Sequence, residues 1–162
     1  SHNTSFINNI DSSEIWAAFR VGRREKIKVH KVNFKESSFH IEASRRDYSR
    51  KKATHKRSFN YDGSTIKIRD IIHSPKNSTV KIFFHLHPDI SLKDDEGVFS
   101  LYNKAQKIAE ISSKNDFSLR SSFFYPSFNQ KVRTQSLVVE KSFNNLFENC
   151  VEITLKNEVL QK

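Results

Sequence analysis

The chain has 162 residues, a normal size for one domain, and its 36% apolar content with fourteen Phe argues against a disordered tail. Twenty-eight Lys and Arg against eighteen Asp and Glu give a net charge of +10, which points to a polyanionic partner without choosing among nucleic acid, anionic membrane and acidic polysaccharide. No apolar run is long enough to span a bilayer and the opening residues do not read as a signal peptide.

The dominant hydrophobic period along the chain is two. Ile27 and Val29 alternate with Lys26, Lys28 and His30, and a polar turn is expected at Lys35-Glu36-Ser37-Ser38. Asp62-Gly63, between Tyr61 and Ser64, is a hairpin signal because both residue types tolerate positive φ. Ile66 and Ile68 alternate with Lys67 and Arg69, and Ser74-Pro75-Lys76-Asn77 reads as a second turn. Val80, Ile82, Phe84 and Leu86 alternate again, up to a turn within Lys93-Asp94-Asp95-Glu96-Gly97. Leu101 to Ser112 fits a helical stripe through Leu101, Ala105, Ile108 and Ala109 about as well as a strand. Val151, Ile153 and Leu155 close the series. With three Gly and three Pro, Asn, Asp and Ser must carry most chain reversals. Strands separated by polar turns every ten or so residues predict an all-β fold, an antiparallel β-sandwich in a single domain over residues 1–162. The lone Cys150 has no internal disulfide partner and is expected as a small buried strand residue, which leaves the redox compartment open.

The densest chemistry lies between Arg45 and Arg57, where Arg45, Arg46, Arg50, Lys51, Lys52, Lys56 and Arg57 are interleaved with Tyr48 and His55. Arginine offers a planar donor fork that matches carboxylates, sulfates and phosphates, and tyrosine offers an apolar face to a sugar ring or base. Arg45, Arg46, Tyr48, Arg50, His55 and Arg57 are therefore the candidate substrate-binding residues, with a solvated basic loop as the bland alternative. As surface charges, Arg45, Arg46 and Arg50 are expected to tolerate Ala with little loss of melting temperature. Arg20, Arg23, Arg24 and Lys26 would extend the same surface if the early strands are neighbours. His85 and His87, two apart on one strand with Phe83, read as a satisfied, partly buried pair; a metal there would need a third ligand.

Several short motifs in series resemble the C-terminal part of heparinase II/III-like polysaccharide lyases. They are Ser1-His2-Asn3-Thr4, Glu14-Ile15-Trp16 with Phe19-Arg20-Val21-Gly22-Arg23-Arg24, Thr54-His55-Lys56-Arg57-Ser58-Phe59, Ile68-Arg69-Asp70, Phe84-His85-Leu86-His87-Pro88 and Phe124-Tyr125-Pro126-Ser127-Phe128. Two departures stand out: Arg45-Arg46-Asp47-Tyr48 replaces a His-Asp-Gly-Tyr-like element, and Asn129 stands where a Gly is usual.

The resemblance implies a sandwich incomplete at its N-terminal side, preceded in the complete protein by an α/α-toroid domain. With no methionine in the chain, residue 1 is not a translational start and a longer parent is expected. The implied reaction is β-elimination on uronate-containing polysaccharide, with most catalytic groups upstream, so that this piece alone is inactive and supplies a basic substrate-binding surface. The resemblance also makes His2 a zinc ligand, in the complete protein only, with no cofactor in the piece itself. It implies a periplasmic or secreted location. The competing class is a non-catalytic polyanion-binding module for acidic glycan or nucleic acid; the nucleic-acid form lacks any helix-turn-helix, zinc-finger or RNA-binding-sheet signature.

Overall fold

The computed structural model describes residues 3–10, 13–17, 20–46 and 53–156, and these form twelve strands and no helix. In chain order they are β1 (Ser5–Ile7), β2 (Ser13–Ala17), β3 (Arg20–Arg24), β4 (Lys26–Lys35), β5 (Ser38–Arg46), β6 (Thr54–Tyr61) and β7 (Thr65–His85). These are followed by β8 (Ile90–Asp95), β9 (Val98–Asn103), β10 (Gln106–Ser113), β11 (Phe117–Phe124) and β12 (Val132–Leu155). All pairings are antiparallel, in the order β4-β5-β6-β7-β12-β10-β9-β8, with β1 added to β7 and β11 to β12, while β2 and β3 make a separate hairpin.

The long strands β7 and β12 turn this sheet into a sandwich. Thr65–Ser74 pairs with Asn145–Thr154, and Ser78–His85 pairs with Ser136–Phe143. Between these stretches the register skips Pro75, Lys76 and Asn77 on one strand and Asn144 on the other. Proline cannot donate to a ladder, so it is accommodated where pairing lapses. The segment expected as a turn at Ser74–Asn77 is thus a bulge inside a continuous strand, held by a 2.7 Å hydroxyl contact between Ser74 and Ser78 and by Asn145 at φ 63°. Beyond the bulge the two strands enter the second layer, where β1 and β11 flank them.

The alternation seen in the sequence becomes the core. Ile68, Ile72, Val80, Ile82, Leu137, Val139 and Val151 are buried together with Phe99 and Ile111. Phe117 of β11 meets Phe99 of β9 edge-on at 6.0 Å, closing one layer against the other. Leu101 to Ser112 is a β9–β10 hairpin; a bulge at Ile108, between the pairs Lys107–Tyr102 and Ala109–Leu101, breaks the period of two and produces the helix-like spacing. Cys150 lies half-buried on the outward face, since Asn149 and Val151 take the inward positions; the expectation of a buried cysteine missed the phase of the strand.

The turn chemistry follows the residues available. Gly63 adopts φ 101°, and the Asp62 carboxylate accepts the amides of Ser64 and Thr65. Glu96 and Gly97 both take positive φ between β8 and β9. Among the described residues, four of the six non-glycine residues at positive φ are asparagines: Asn8, Asn9, Asn129 and Asn145. Asn129, where the family resemblance expects Gly, sits at φ 61°, a left-handed conformation that Asn tolerates better than most residues.

Candidate functional site: an ionic network behind a small cleft

The register across β4, β5, β6 and β7 sorts the candidate residues by face. Ile27, Arg45, His55 and Ile72 are successive cross-strand neighbours, as are Val29, Ala43, Arg57 and Asp70. Arg45, His55, Arg57 and Asp70 therefore share the inward face with core residues. Asp70 is fully buried in a row otherwise made of Ile66, Ile68 and Ile72.

A buried carboxylate requires compensation. Here Arg57 grips Asp70 bidentately, Nε to Oδ1 at 2.6 Å and Nη2 to Oδ2 at 3.0 Å, while His55 Nε2 donates to Oδ1 at 2.5 Å. Arg45 Nε donates to His55 Nδ1 at 3.1 Å. A guanidinium has only donors, so His55 Nδ1 must carry the lone pair and Nε2 the proton. The imidazole is the neutral tautomer. Burial lowers its pKa from the ordinary value, against the opposing pull of Asp70. For Asp70, burial alone would raise the pKa; the His55 hydrogen bond and the Arg57 charge outweigh it and leave the group lowered.

The same arginines finish the edge of β1. Thr4 O accepts from Phe83 N–H and Asn8 N–H donates to Thr79 O, so even-numbered residues of this segment face β7. Odd-numbered carbonyls point the other way, and arginine side chains meet them. Arg57 Nη1 donates to Asn3 O at 2.7 Å, and Arg45 Nη2 donates to Ser5 O at 2.5 Å and Ser5 Oγ at 2.7 Å. Arg45 Nη1 pairs with Glu25. The network thus ties residues 3–5 to β5, β6 and β7.

In front of it lies a cleft of about 180 Å³ lined by Thr4, Ile27, Ile41, Ala43, Ser44, Arg45, His55, Arg57 and Phe59. Three of the six candidates, Arg45, His55 and Arg57, converge on this cleft. Arg46, one residue on, projects from the opposite face of β5 and is exposed. Tyr48 and Arg50 lie outside the described residues. Arg45 is not the freely replaceable surface charge expected of it, because its side chain is only 12% exposed and every hydrogen bond described for it holds the fold together. Asp70, Ser5 and Glu25 were not singled out from sequence as site residues. The signal for Asp70 was present: an acid at an inward position of an apolar row must have buried cationic partners.

Other expectations resolve as follows. Arg20 and Arg24 sit on the β2–β3 hairpin, where Arg23 binds Glu14 at 2.9 Å and draws that carboxyl down to about 2, so this group does not continue the β4 sheet. His85 stacks on Phe83 at 5.6 Å and contacts Ser136 Oγ at 2.6 Å. His87 lies past the end of β7, exposed, with Nδ1 3.4 Å from the Asp89 carboxylate, so it is not the partly buried companion expected for His85. His2 lies outside the described residues. No three His, Cys, Asp or Glu side chains among the described residues converge on a metal-sized site.

The family model described as Heparinase II/III-like, C-terminal, matches residues 1–148. The chain belongs to this family. Its fold matches heparan sulfate lyase HepC from Pedobacter heparinus with a TM-score of 0.74 at 13% identity, covering 94% of this chain and 24% of that one. A heparinase III structure matches with a TM-score of 0.75 at 11% identity over 96% of this chain and 24% of that one. The heparinase III BT4657 gene product gives 0.70 at 11% identity, over 94% and 23%. The chain therefore spans about a quarter of these solved relatives. No curated protein matches it by sequence. Among the described residues no helix is long and apolar enough to cross a membrane.

Proposed function

We propose that this sandwich is the C-terminal domain of a polysaccharide lyase that cleaves acidic, uronate-containing polysaccharide by β-elimination. The observation that carries the reading is the family match over residues 1–148, supported by the fold shared with heparan sulfate lyase HepC and heparinase III. In such a reaction a base removes the proton α to the uronate carboxylate, cationic or hydrogen-bonding groups neutralise the developing charge, and an acid protonates the leaving glycosidic oxygen.

The geometry favours a supporting role for this chain. The groups best suited to proton transfer, His55 at the cleft and Asp70 buried behind it, are engaged: both His55 nitrogens are hydrogen-bonded, and both Asp70 oxygens bind Arg57. We therefore assign the catalytic acid and base to a partner domain of the larger polypeptide, of the α/α-toroid type. Arg45, His55 and Arg57 brace the sheet from its inward face, while Arg46, with Tyr48 and Arg50, contacts the anionic chain directly. A zinc ion held through His2 in the complete protein and a periplasmic or secreted location belong to the same proposal; metal analysis and fractionation of that protein test them.

The deciding experiment supplies uronate polymers to the larger polypeptide and follows ultraviolet absorbance from unsaturated uronate ends. Growth of that signal is expected, with none from the 162-residue chain alone. A properly folded larger polypeptide that gives no signal on any uronate polymer overturns the lyase reading and leaves a polyanion-binding module.

A further inference from the structure

β4 is the terminal strand of the sheet and carries an inserted residue. Before the insertion its outward positions are even: Lys26 lies opposite Arg46 and Lys28 opposite Ser44. After it they are odd: Lys31 lies opposite Glu42, Asn33 opposite His40 and Lys35 opposite Ser38. The extra residue, His30, reaches Ser44 Oγ through Nε2 at 2.7 Å and so joins the outward face as well. A one-residue slip normally exchanges the two faces of a strand. Here the sequence changes phase together with the backbone. Lys26, Lys28, Lys31 and Lys35 consequently stay on one side, and Ile27, Val29, Val32 and Phe34 on the other.

Arg46 and Lys56 extend the outward face across β5 and β6. Lys56 is engaged by Glu42 at 2.9 Å. Lys26, Lys28, Lys31, Lys35 and Arg46 have no ion-pair partner among the described residues. At the hairpin end the face opens into a cleft of about 370 Å³ whose lining includes Asn33, Lys35, His40, Asn60 and Tyr61. Asp62 also lines it, but its carboxylate is turned to the amides of Ser64 and Thr65.

We propose that the outward face of β4–β6 is a binding track for an extended anionic polysaccharide. Lys26, Lys28, Lys31 and Arg46 make successive charge contacts, and the Asn33–Lys35–His40–Asn60 cleft holds one sugar unit. Same-face residues on a strand recur at about 6.8 Å, so a linear polymer with regularly placed carboxylates or sulfates can meet several cations at once. Carboxamides beside a lysine suit a unit that bears hydroxyls as well as an anionic group. This rests on the acidic-polysaccharide part of the preceding reading and names a surface for it, on the side of the sheet opposite the arginine–histidine cleft. It does not depend on the elimination chemistry.

The test is calorimetric titration with a heparin octasaccharide on the 162-residue chain and on the larger polypeptide. The variant Lys26→Gln/Lys28→Gln/Lys31→Gln is compared with Lys93→Gln/Lys104→Gln/Lys114→Gln, which removes the same charge from the β8–β10 side. The track variant is expected to bind about tenfold more weakly with a shallower salt dependence, and the control to change by less than about twofold. Equal weakening in both variants overturns the proposal, because a general positive field then accounts for binding. Displacement of heparin by duplex DNA at equal charge concentration overturns the polysaccharide assignment. Self-association of the track variant with unchanged affinity also overturns it, since the lysines then only guard an open strand edge. Loss of binding in the track variant, with no unsaturated ends from the larger polypeptide, supports the track while ending the lyase reading.

Discussion

The middle and one end of the main sheet obey the same sequence rule and meet opposite fates. In β7, Ile68, Ile72, Val80 and Ile82 alternate with polar residues and are buried. In β4, Ile27, Val29, Val32 and Phe34 alternate just as regularly, yet they are 73%, 60%, 58% and 66% exposed. Burial declines steadily along one cross-strand row, from Val151 and Ile68 through Phe59 and Ile41 to Val32, as the sheet runs out beyond its covering layer. Alternation thus fixes a strand and its face but does not reveal whether anything lies against that face. The polar network marks where coverage ends. The carbonyls of Asn3 and Ser5, at the margin of the second layer, are met by arginines instead of by another strand.

This contrast predicts a gradient of mutational cost. Asp70→Ala leaves Arg57 and His55 buried without their anion and is expected to cost about 3–5 kcal/mol in denaturant unfolding. Glu42→Ala, which removes only the pair with Lys56 in the wing of the sheet formed by β4, β5 and β6, should leave the unfolding midpoint nearly unchanged. Equal costs would erase the distinction between network and wing. In the apolar layer, Ile82→Ala should lose about 2–5 kcal/mol through transfer and cavity effects. Phe34→Ala, an exposed position, should lose under about 1 kcal/mol. A large loss at Phe34 would mean that the wing is covered after all.

A pH series sharpens the same point. Burial holds the folded-state pKa of His55 below its ordinary 6.5, so the unfolded chain takes up a proton that the folded chain resists. Stability should therefore be full above about pH 6.5 and fall as the pH drops from there toward the lower folded value. Asp70, lowered from 3.8, adds a further loss below about that value as its folded form is finally protonated. Thermal melts should show a midpoint several degrees lower at pH 5 than at pH 7.5. His55→Gln should flatten that slope, because a neutral amide can still donate to Asp70 and accept from Arg45. An unchanged slope would place the titrating group elsewhere.

Much of the architecture was legible because burial and turn chemistry are local and periodic. The alternations at Ile66–Arg69 and Val80–Leu86, the Asp62-Gly63 reversal and the Glu96-Gly97 turn all appear where the sequence puts them. Three features were not legible because they depend on a partner strand. Pro75 reads as a turn until β12 is seen to skip past it. Ile108 reads as helical until its bulge against β9 is known. His30 hides a change of phase that only its register against β5 reveals. The candidate site shows the same limit. The basic stretch was visible, but composition could not tell an inward arginine from an outward one.

Arg45 and Arg46 are adjacent in sequence and on opposite faces of β5, so they test the account most directly. Each is replaced by Gln, and both the unfolding free energy and the affinity for a heparin octasaccharide are measured. Arg45→Gln is expected to lose about 3 kcal/mol or more of stability while the folded fraction binds within about twofold of wild type. Arg46→Gln is expected to stay within about 0.5 kcal/mol in stability and to bind measurably more weakly. The reverse result, with affinity lost at Arg45 and stability lost at Arg46, would contradict the assignment of the inward face to structure and the outward face to the polyanion.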